Sequence, residues 1–289
     1  MPELPEVEVV KRSLVNKTHN LIVKAVKIND GRLRYKIDRN KIKKIIGLKF
    51  IKISRRSKYL LFFFNKDIVM LVHLGMTGKF FFVNQKKKKY KTSFYYEINE
   101  DKDKKHDRVI FNLSNNQKLI YNDIRKFGFI KFIKRTNLSQ NPHLKHLGPE
   151  ILSTKFNIGY FKNYIKGKKR NIKNILMDQT FISGLGNIYV NEILFFSGIR
   201  PEKKIKKLSD EEIKKIIKFS KRIISKAIIL GGSSIKDFSS SSGKKGSFQQ
   251  HFNVYGKKGE NCLNVKCKGK IKKIVIANRA SFFCNKCQK

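Results

Sequence analysis

The chain has 289 residues, a formal net charge of +45 and no tryptophan. This length allows two domains with cores of their own, and no apolar run has the layout of a signal peptide or the length of a membrane span. We therefore expect a soluble cytoplasmic protein with a polyanionic partner. Lysine outnumbers arginine by 53 to 13, a bias typical of AT-rich codon usage, so the few arginines say more about function than the many lysines.

The chain begins with MPELPEVE, and residues 3–17 carry apolar side chains on one face of a predicted helix. Proline favours the first turn of a helix, so Pro2 has a purely structural interpretation. The alternative interpretation is chemical. Residue 2 is small enough for Met1 to be removed, and the mature chain would then start with a secondary amine.

Residues 21–133 consist of short β-branched and aromatic runs that are separated by turn residues. These strand-like runs are LIVKAVKI, YLLFFF, DIVMLVHL, KFFFV, RVIFNL, KLIY and FGFIKFI. Many short strands in one stretch predict a β-sandwich or a barrel.

Two segments that follow strands in this stretch contain side chains that are unusual for turns. HLGMTG contains Met76, and RKFG contains Arg125 and Phe127. A Met or Phe side chain can act as a wedge that unstacks DNA, and an arginine can follow it into the gap. Each of the three could also be an ordinary core or turn residue.

After HLGPEIL at 146–152 the apolar pattern becomes helical. A helix is predicted at 183–196, entered through the glycine turn GLGN, whose backbone N–H groups would suit a phosphate. Ser209 and Glu212 form a capping box at the start of a further amphipathic helix. Residues 231–252 are rich in glycine and serine and predict a mobile surface loop.

All four cysteines lie in the last part of the sequence, Cys262 close to Cys267 and Cys284 close to Cys287. Disulfides are unusual in a reducing cytosol, whereas two close pairs of thiolates are typical of a closed, structural zinc site. The segment GKIKKIVIANRASFF between the pairs is long enough for a β-hairpin. The sequence therefore predicts a zinc ribbon that can insert into a nucleic-acid groove, with free cysteines as the alternative.

Nine segments follow one another along the chain: PELPEVE, RRSKYL, HLGMTG, DIRKFG, LGPE, QTFISGLGNIYVNEILFFSGIRPE, GGSSIKDF, VYGKKGENC and NRASFFCNKCQK. Together they closely resemble bacterial formamidopyrimidine-DNA glycosylase, the family that removes 8-oxoguanine, and the resemblance runs from residue 2 to residue 289. It implies an α+β fold, with an N-terminal β-sandwich and flanking helices, then a C-terminal helix–two-turn–helix domain that ends in a zinc-ribbon β-hairpin. The implied domains are a catalytic sandwich at 1–135, a helical DNA-binding domain with a lesion flap at 150–252, and a zinc finger at 253–289.

The resemblance also implies catalytic roles. Pro2 would be the nucleophile that attacks the sugar C1′ of the damaged nucleotide, and Glu3 would move protons to and from the sugar ring oxygen. An α-amine titrates near pH ~8 and is partly free base at neutral pH, whereas a lysine amine is almost wholly protonated. Lys58, the family's strand-borne lysine, would assist β-elimination, and Arg279 would bind phosphate and serve δ-elimination. Glu6 would help to hold the N-terminus in place.

Contacts with DNA are implied as well, and the partner would be duplex DNA carrying oxidised purines. The protein would act as a monomer and would not bind a membrane. One structural Zn²⁺ would be held by the four cysteines. The residues expected to contact DNA are Asn187 at a phosphate, His106, Arg125, one of Lys168 and Lys169, and the wedge formed by Met76, Arg125 and Phe127.

Two departures from the family pattern are visible. The first cysteine pair is CLNVKC, two residues longer than the usual C-x2-C, although zinc tolerates a four-residue spacer. The 84–105 loop is longer and richer in lysine than the family pattern, which bears on the assignment of His106.

Two other functions stay open. An endonuclease VIII-like glycosylase for oxidised pyrimidines would share the fold, but Leu4 and the long GGSSIKDF flap favour the purine-specific branch. A non-catalytic zinc-ribbon protein that binds DNA or RNA would explain the charge and the cysteines, but not Pro2, Glu3 and Lys58. We therefore expect a bifunctional glycosylase and AP lyase of base excision repair that acts through a Schiff base and β,δ-elimination.

Overall fold

The computed structural model describes residues 1–86, 88–92, 104–233 and 248–289. The chain forms two compact units: the first is Met1–Lys145 with Gly231–Ser247, and the second is His146–Leu230 with Phe248–Lys289. Most of the predicted flap, residues 234–247, lies outside the described residues. Within the described ranges, no helix combines the length and the apolar character that crossing a membrane requires.

Within its described residues, the first unit contains two α-helices and two antiparallel sheets. The helices are α1 (Leu4–Thr18) and α2 (Arg39–Lys43). The strands are β1 (Val23–Ile28), β2 (Phe50–Arg56), β3 (Tyr59–Phe64), β4 (Ile68–His73), β5 (Lys79–Val83), β6 (Lys89–Lys91), β7 (Asp107–Leu113), β8 (Lys118–Asn122) and β9 (Phe129–Lys134). One sheet has the order β1-β7-β8-β5-β6 and the other the order β2-β3-β4-β9.

The core of the first unit lies between these two sheets. Side chains alternate between the two faces of each strand, so every strand sends one set of apolar residues inward. Phe62 of β3 and Phe80 of β5 are fully buried, and their ring centroids are 5.6 Å apart, which shows that the sheets pack face to face. The apolar face of α1 joins the same core. The predicted sandwich and its flanking N-terminal helix are confirmed.

The second unit is helical and ends in a hairpin. Its elements are α3 (Ile158–Ile165), α4 (Ile172–Met177), α5 (Asn187–Ser197), α6 (Asp210–Ile229), β10 (Ile271–Ile276) and β11 (Arg279–Cys284). The predicted capping box is present at α6, where Ser209 Oγ accepts from Glu212 N–H at 3.2 Å and the Glu212 carboxylate accepts from Ser209 N–H at 3.1 Å. The hairpin turns at Ala277 and Asn278, both with positive φ, which matches the twist of the two strands.

The predicted surface loop at 231–252 is not irregular throughout. Phe248–His251 form a short 3-10 helix. Phe248 is buried and its ring centroid lies 5.4 Å from that of Tyr189 on α5. One aromatic side chain therefore orders the end of a segment whose composition alone suggests a loop.

Candidate active site and metal centre

The N-terminal segment of the first unit is buried rather than frayed. Pro2 is buried and Glu3 is only 4% exposed. The Glu6 carboxylate accepts a hydrogen bond from Glu3 N–H at 2.8 Å, so a side chain satisfies one of the free donors at the start of α1. Pro5 lies in the same turn, where the missing N–H of proline leaves no bond unmade. Most chain ends lack such restraints, so this one is positioned unusually well.

Glu6 also binds the start of the predicted flap. Its Oε1 accepts from Ser233 N–H at 2.8 Å and from the Ser233 hydroxyl at 2.9 Å. Gly232 has a φ of +78°, and a Cβ at this position would lie 3.0 Å from Glu6 Oε1. One carboxylate therefore joins the N-terminal segment to residues that are distant in sequence.

The charges around the N-terminus change the basicity of an amine placed there. Burial lowers the pKa of the Met1 α-amine, Glu3 and Glu6 raise it in part, and Lys58 and Arg125 lower it further. A lower pKa leaves a larger fraction of the amine neutral at neutral pH. The structure thus brings four residues singled out in the sequence into electrostatic range of the chain's first amine.

Lys58 lies in the turn between β2 and β3, not inside a strand as the resemblance implies. Ser57, the other turn residue, has a φ of +55°, and Lys58 is only 7% exposed. Arg55 fixes this turn, because its Nη1 donates to Ser57 O at 2.9 Å while its Nε donates to Glu8 Oε2 at 2.9 Å. Glu8 belongs to α1, so the helix that begins at the N-terminal segment also orients the Lys58 turn.

Glu8 remains ionised although it is buried. Burial favours the neutral acid, but the hydrogen bonds from Lys11 and Arg55 outweigh that effect and lower the pKa of Glu8. Sequence analysis identified neither Glu8 nor Arg55. Their pairing joins residues 47 positions apart, and no local sequence pattern predicts it.

His73 is a half-buried group that sequence analysis did not single out. Burial, with further contributions from Lys58 and Arg34, lowers the pKa of His73 to about 4. Its Nδ1 accepts from Gly75 N–H at 3.1 Å, so the neutral ring holds the start of the loop that contains Met76. A polar residue at the end of an otherwise apolar strand was the one available signal.

Met76, Arg125 and Phe127 lie on two neighbouring loops of the first unit. Met76 and Phe127 are 41% and 46% exposed, and the Arg125 guanidinium lies 4.4 Å from the Phe127 ring centroid. Thr77 connects the loops, because its hydroxyl donates to Asp123 at 2.5 Å and accepts from Arg125 N–H at 3.0 Å. Exposed apolar side chains on well-fixed loops are typical of an interaction site.

His106 lies beside the second of these loops. It ends the 3-10 turn Lys104–His106, directly after residues 93–103, which are not described. Its Nδ1 lies 3.1 Å from Nη2 of Arg108, and its carbonyl accepts from Asp123 N–H at 3.1 Å. Two of the predicted DNA contacts of the first unit, His106 and Arg125, are therefore on adjoining segments.

In the second unit, Asn187 and Lys173 both bind the returning strand of the hairpin. Asn187 Nδ2 donates to Ala280 O at 3.0 Å, and its buried Oδ1 has no hydrogen-bond partner within the described residues. Lys173 Nζ donates to the same carbonyl at 2.9 Å and to Ser281 Oγ at 2.6 Å. Burial, then the charge of Arg279, lowers the pKa of Lys173 to about 8. Helices α4 and α5 thus position the strand whose first residue is Arg279.

Arg279 itself is exposed and lines an open cleft between α4 and the hairpin turn. The cleft also contains Lys173 and Arg170, and Arg170 pairs with Asp178 at 2.6 Å. Such a concentration of positive charge suits a phosphate. Lys168 and Lys169 are exposed on the segment after α3, and the Lys168 ammonium lies 4.1 Å from the Tyr164 ring centroid.

The four cysteines lie close together, and no disulfide joins any two of them. Their sulfurs lie within 4.8 Å of one another, with Cys262 to Cys287 at 3.7 Å and Cys267 to Cys284 at 3.6 Å. A tetrahedron with Zn–S bonds of about 2.3 Å has edges of about 3.8 Å, so these sulfurs fit such an ion. Backbone N–H groups point at two sulfurs, as thiolate ligands require: Gly269 donates to Cys267 at 3.3 Å and Cys287 to Cys284 at 3.4 Å.

The residues around the cluster are compatible with a bound ion. A Cβ at Gly269 would lie 2.7 Å from Cys284 Sγ and 3.1 Å from Cys267 Sγ, so a side chain there would displace a ligand. In the longer CLNVKC spacer, Leu263 is 56% exposed and Val265 is fully exposed. The spacer therefore bulges into solvent without separating the sulfurs.

Two family models match the chain. The formamidopyrimidine-DNA glycosylase N-terminal domain matches residues 1–130, and the formamidopyrimidine-DNA glycosylase H2TH domain matches residues 147–239. The chain is 42% identical over 289 residues to a formamidopyrimidine-DNA glycosylase of Rickettsia bellii (strain OSU 85-389), with all of both chains covered. It is 36% identical over 295 aligned positions to a formamidopyrimidine-DNA glycosylase of Bradyrhizobium sp. (strain BTAi1 / ATCC BAA-1182), again with both chains covered.

Solved structures show the same fold. A mutant of the Lactococcus lactis FPG in complex with a Fapy-dG containing DNA has 33% identity and a TM-score of 0.85, with 100% of both chains covered. The wild-type Lactococcus lactis FPG (MutM) with an oxidized pyrimidine containing DNA has 33% identity and a TM-score of 0.84 over the same coverage. The resemblance seen in the nine sequence segments is confirmed, and the chain belongs to the formamidopyrimidine-DNA glycosylase family.

Proposed function

We propose that the protein is a bifunctional DNA glycosylase and AP lyase that excises oxidised purines, 8-oxoguanine and formamidopyrimidines, from duplex DNA in base excision repair. The observation that carries the proposal is the buried pair Pro2 and Glu3 at the start of the chain; the Met1 α-amine directly before them is in electrostatic range of Glu3, Glu6, Lys58 and Arg125. The glycosylase relatives and the Fapy-dG DNA bound by the Lactococcus lactis protein support this substrate class. The protein acts as a monomer on DNA in the bacterial cytoplasm.

In this mechanism Met1 is removed and the Pro2 nitrogen is the nucleophile. Its lone pair forms a bond to the sugar C1′ while the bond from C1′ to the base breaks, and the base leaves with a proton. Glu3 transfers protons to and from the sugar ring oxygen. Once Glu3 has protonated the ring oxygen O4′, the bond between C1′ and O4′ breaks and the nitrogen lone pair forms a C1′=N double bond, which gives an iminium ion. This ion is cationic and accepts electrons when strand cleavage follows. Burial of Pro2 and Glu3 supports this role, because burial favours the neutral, nucleophilic form of an amine at the new N-terminus.

Strand cleavage is assigned to Lys58 and Arg279. Lys58 assists β-elimination, which its burial and its fixed turn support. Arg279 binds a phosphate and serves δ-elimination, and its exposed position at a basic cleft suits that role. Glu6 keeps the N-terminal segment in place through its hydrogen bonds to Glu3 and Ser233.

The remaining assignments concern DNA binding. His106 and Asn187 contact the backbone, as does one of the exposed pair Lys168 and Lys169. Met76, Arg125 and Phe127 form the wedge that fills the space left by the flipped base. These roles divide the chain into the catalytic region 1–135, the helical DNA-binding region 150–252 and the zinc finger 253–289.

We assign one structural Zn²⁺ to Cys262, Cys267, Cys284 and Cys287. Four thiolates close the coordination sphere, so the ion would contribute folding energy and take no part in the reaction. The separations between the sulfurs and the requirement for glycine at Gly269 support this assignment.

A wider lesion range is a second possibility, favoured by one observation. The Lactococcus lactis relative has been crystallised with an oxidized pyrimidine containing DNA. The preference of this chain for purines over pyrimidines can therefore be measured. Excision rates on a duplex with 8-oxoguanine and on one with an oxidised pyrimidine are compared at equal enzyme concentration.

The first test of the proposed function is trapping with borohydride. Protein lacking Met1, mixed with a duplex that holds 8-oxoguanine opposite cytosine, is expected to give a stable covalent protein–DNA adduct because reduction fixes the iminium. Denaturing electrophoresis measures the adduct, and mass spectrometry locates it at Pro2. A duplex with undamaged guanine is the control. Base release without any adduct would exclude the Schiff-base mechanism.

A second prediction concerns the wedge. Phe127→Ala is expected to slow excision of 8-oxoguanine by about tenfold or more and to change cleavage of a preformed abasic site much less, because a missing base has already removed part of the unstacking cost. Single-turnover rates on the two duplexes measure the difference. Equal losses on both substrates would show that Phe127 contributes to packing instead.

A further inference from the structure

A cluster of charged side chains, Asp30, Arg108 and Lys126, adjoins the loop that carries Arg125 and Phe127. At its centre is Asp30, on the segment after β1. Lys126 Nζ lies 2.7 Å from Asp30 Oδ2, and Arg108 Nη1 lies 3.4 Å from the same oxygen. Lys126 separates Arg125 from Phe127 and has a φ of +58°, a backbone conformation that residues other than glycine seldom adopt.

Arg108 connects this carboxylate to both DNA-contacting segments of the first unit. Its side chain is 7% exposed. Its Nε donates to Asp123 O at 2.8 Å and its Nη2 to Ile124 O at 3.4 Å, while the same Nη2 lies 3.1 Å from His106 Nδ1. A buried guanidinium requires a charged partner and filled hydrogen bonds. Asp30 provides the charge, and the carbonyls at the base of the loop fill the remaining donors.

The position of Asp30 is itself fixed by backbone bonds. Asn29 N–H donates to Arg108 O at 3.0 Å, and Asn29 Nδ2 donates to Asp107 O at 3.0 Å. Further along the same segment, Arg34 N–H donates to Gly128 O at 3.1 Å, directly after the Arg125–Phe127 stretch. The segment that holds Asp30 is therefore attached to β7 at one end and to the far side of the wedge loop at the other.

We infer that Asp30 is a positioning residue which, through Lys126 and Arg108, holds the Arg125–Phe127 wedge and His106 in their DNA-engaging arrangement. The inference rests on the proposed function, since it concerns how the same site opens the duplex. Asp30 touches neither substrate nor reacting atoms. Through Lys126 and Arg108 it fixes the backbone that precedes Phe127, while Arg34 N–H holds Gly128 directly after it. A wedge that is held before DNA arrives unstacks a base pair more effectively than one that must be ordered on binding.

The test is Asp30→Asn, which keeps the shape of the side chain and removes its charge. Single-turnover excision of 8-oxoguanine is expected to slow by about tenfold, the scale of effect that a small misplacement of a working group produces. Cleavage of a preformed abasic site is expected to change by less than about twofold, since less unstacking is needed there. The fluorescence of 2-aminopurine next to the lesion reports unstacking directly, without chemistry, and should rise less with the variant than with wild type.

Matched variants separate this role from general effects of charge and stability. Asp67→Asn makes the same chemical change on the exposed turn between β3 and β4, and Arg32→Gln removes the partner of Asp30 whose side chain is 80% exposed; both are expected to behave as wild type. Asp30→Glu should restore part of the excision rate. Lys126→Gln breaks the same ion pair from the other side, so it tests the inference even where Asp30→Asn unfolds the protein.

The double variant Asp30→Asn with Lys126→Gln is expected to lose no more than the worse single variant, because Asp30→Asn already removes the ion pair that Lys126→Gln removes. Additive losses, equal losses on the two substrates, or wild-type rates in both single variants would overturn the inference. A wild-type protein that acts on neither duplex would instead reject the proposed function, and the 2-aminopurine signal would still decide whether Asp30 controls unstacking.

Discussion

Protein that retains one or more residues in front of Pro2 is expected to give no borohydride adduct. It should also excise 8-oxoguanine at least about a thousandfold more slowly than processed protein, which is the scale of loss seen when a nucleophile is removed. In the extended chain the proline nitrogen belongs to a peptide bond, and its lone pair is delocalised into the carbonyl. Binding of lesion DNA is expected to stay within about twofold, because the contacts proposed at His106, Arg125 and Asn187 are unaffected. On two preparations from one gene, intact mass identifies the N-terminus, single-turnover kinetics measure excision, and a binding titration with lesion DNA measures affinity.

The matched control is Pro2→Gly, which leaves an unblocked primary amine at the same place and is expected to trap weakly. If the extended protein formed as much adduct as processed protein, Pro2 would not be the nucleophile. Lys58 would then be the alternative, since it is buried and acts electrostatically on the terminal amine. Lys58→Gln in the extended protein would abolish the remaining adduct in that case.

Local patterns predicted most of the fold. The runs YLLFFF, KFFFV and KLIY correspond to β3, β5 and β8, because period-2 burial against a common core selects such residues. The capping box at α6 was also predicted from the sequence and is present in the structure. Two strands were missed. β2 does not alternate regularly and ends in two arginines, and β6 lies within a lysine-rich segment whose composition suggests a loop.

The candidate site was predicted from motifs, but its supporting contacts were not. The pairs Glu8 with Arg55, Glu6 with Ser233 and Asp30 with Lys126 join residues far apart in sequence. Each is an ordinary charged or polar residue in its local context, and only the folded backbone makes the two members neighbours. The position of Lys58 was also misjudged, because the two-residue turn at Ser57 has no glycine, asparagine or proline to mark it.

Cys284→Ser is expected to remove the metal from the chain and to weaken DNA binding strongly while the β-sandwich stays folded. Cys284 is fully buried and belongs to a small core with Phe195, Val254 and Ile271, which is too little apolar surface to hold the hairpin without the ion. Structural zinc contributes about 10 kcal/mol or more in small ribbons, so substitution of one ligand should disorder β10 and β11. The first unit has its own core and should retain its melting transition.

Arg279→Ala separates loss of the metal from loss of a phosphate contact. Arg279 begins β11, five residues before Cys284, and its side chain is exposed. This variant is expected to keep one zinc per chain and to reduce the salt dependence of binding by one phosphate contact, a change of about 0.9 in the slope of log K against log salt. Cys284→Ser should lose this contact too, because the strand that aims Arg279 no longer forms. Metal analysis of pure wild-type protein is the remaining control. Substoichiometric zinc in a chain that still cleaves 8-oxoguanine DNA would show that the exposed CLNVKC spacer has weakened the metal site. The hairpin would then be held by Lys173, Asn187 and its own core.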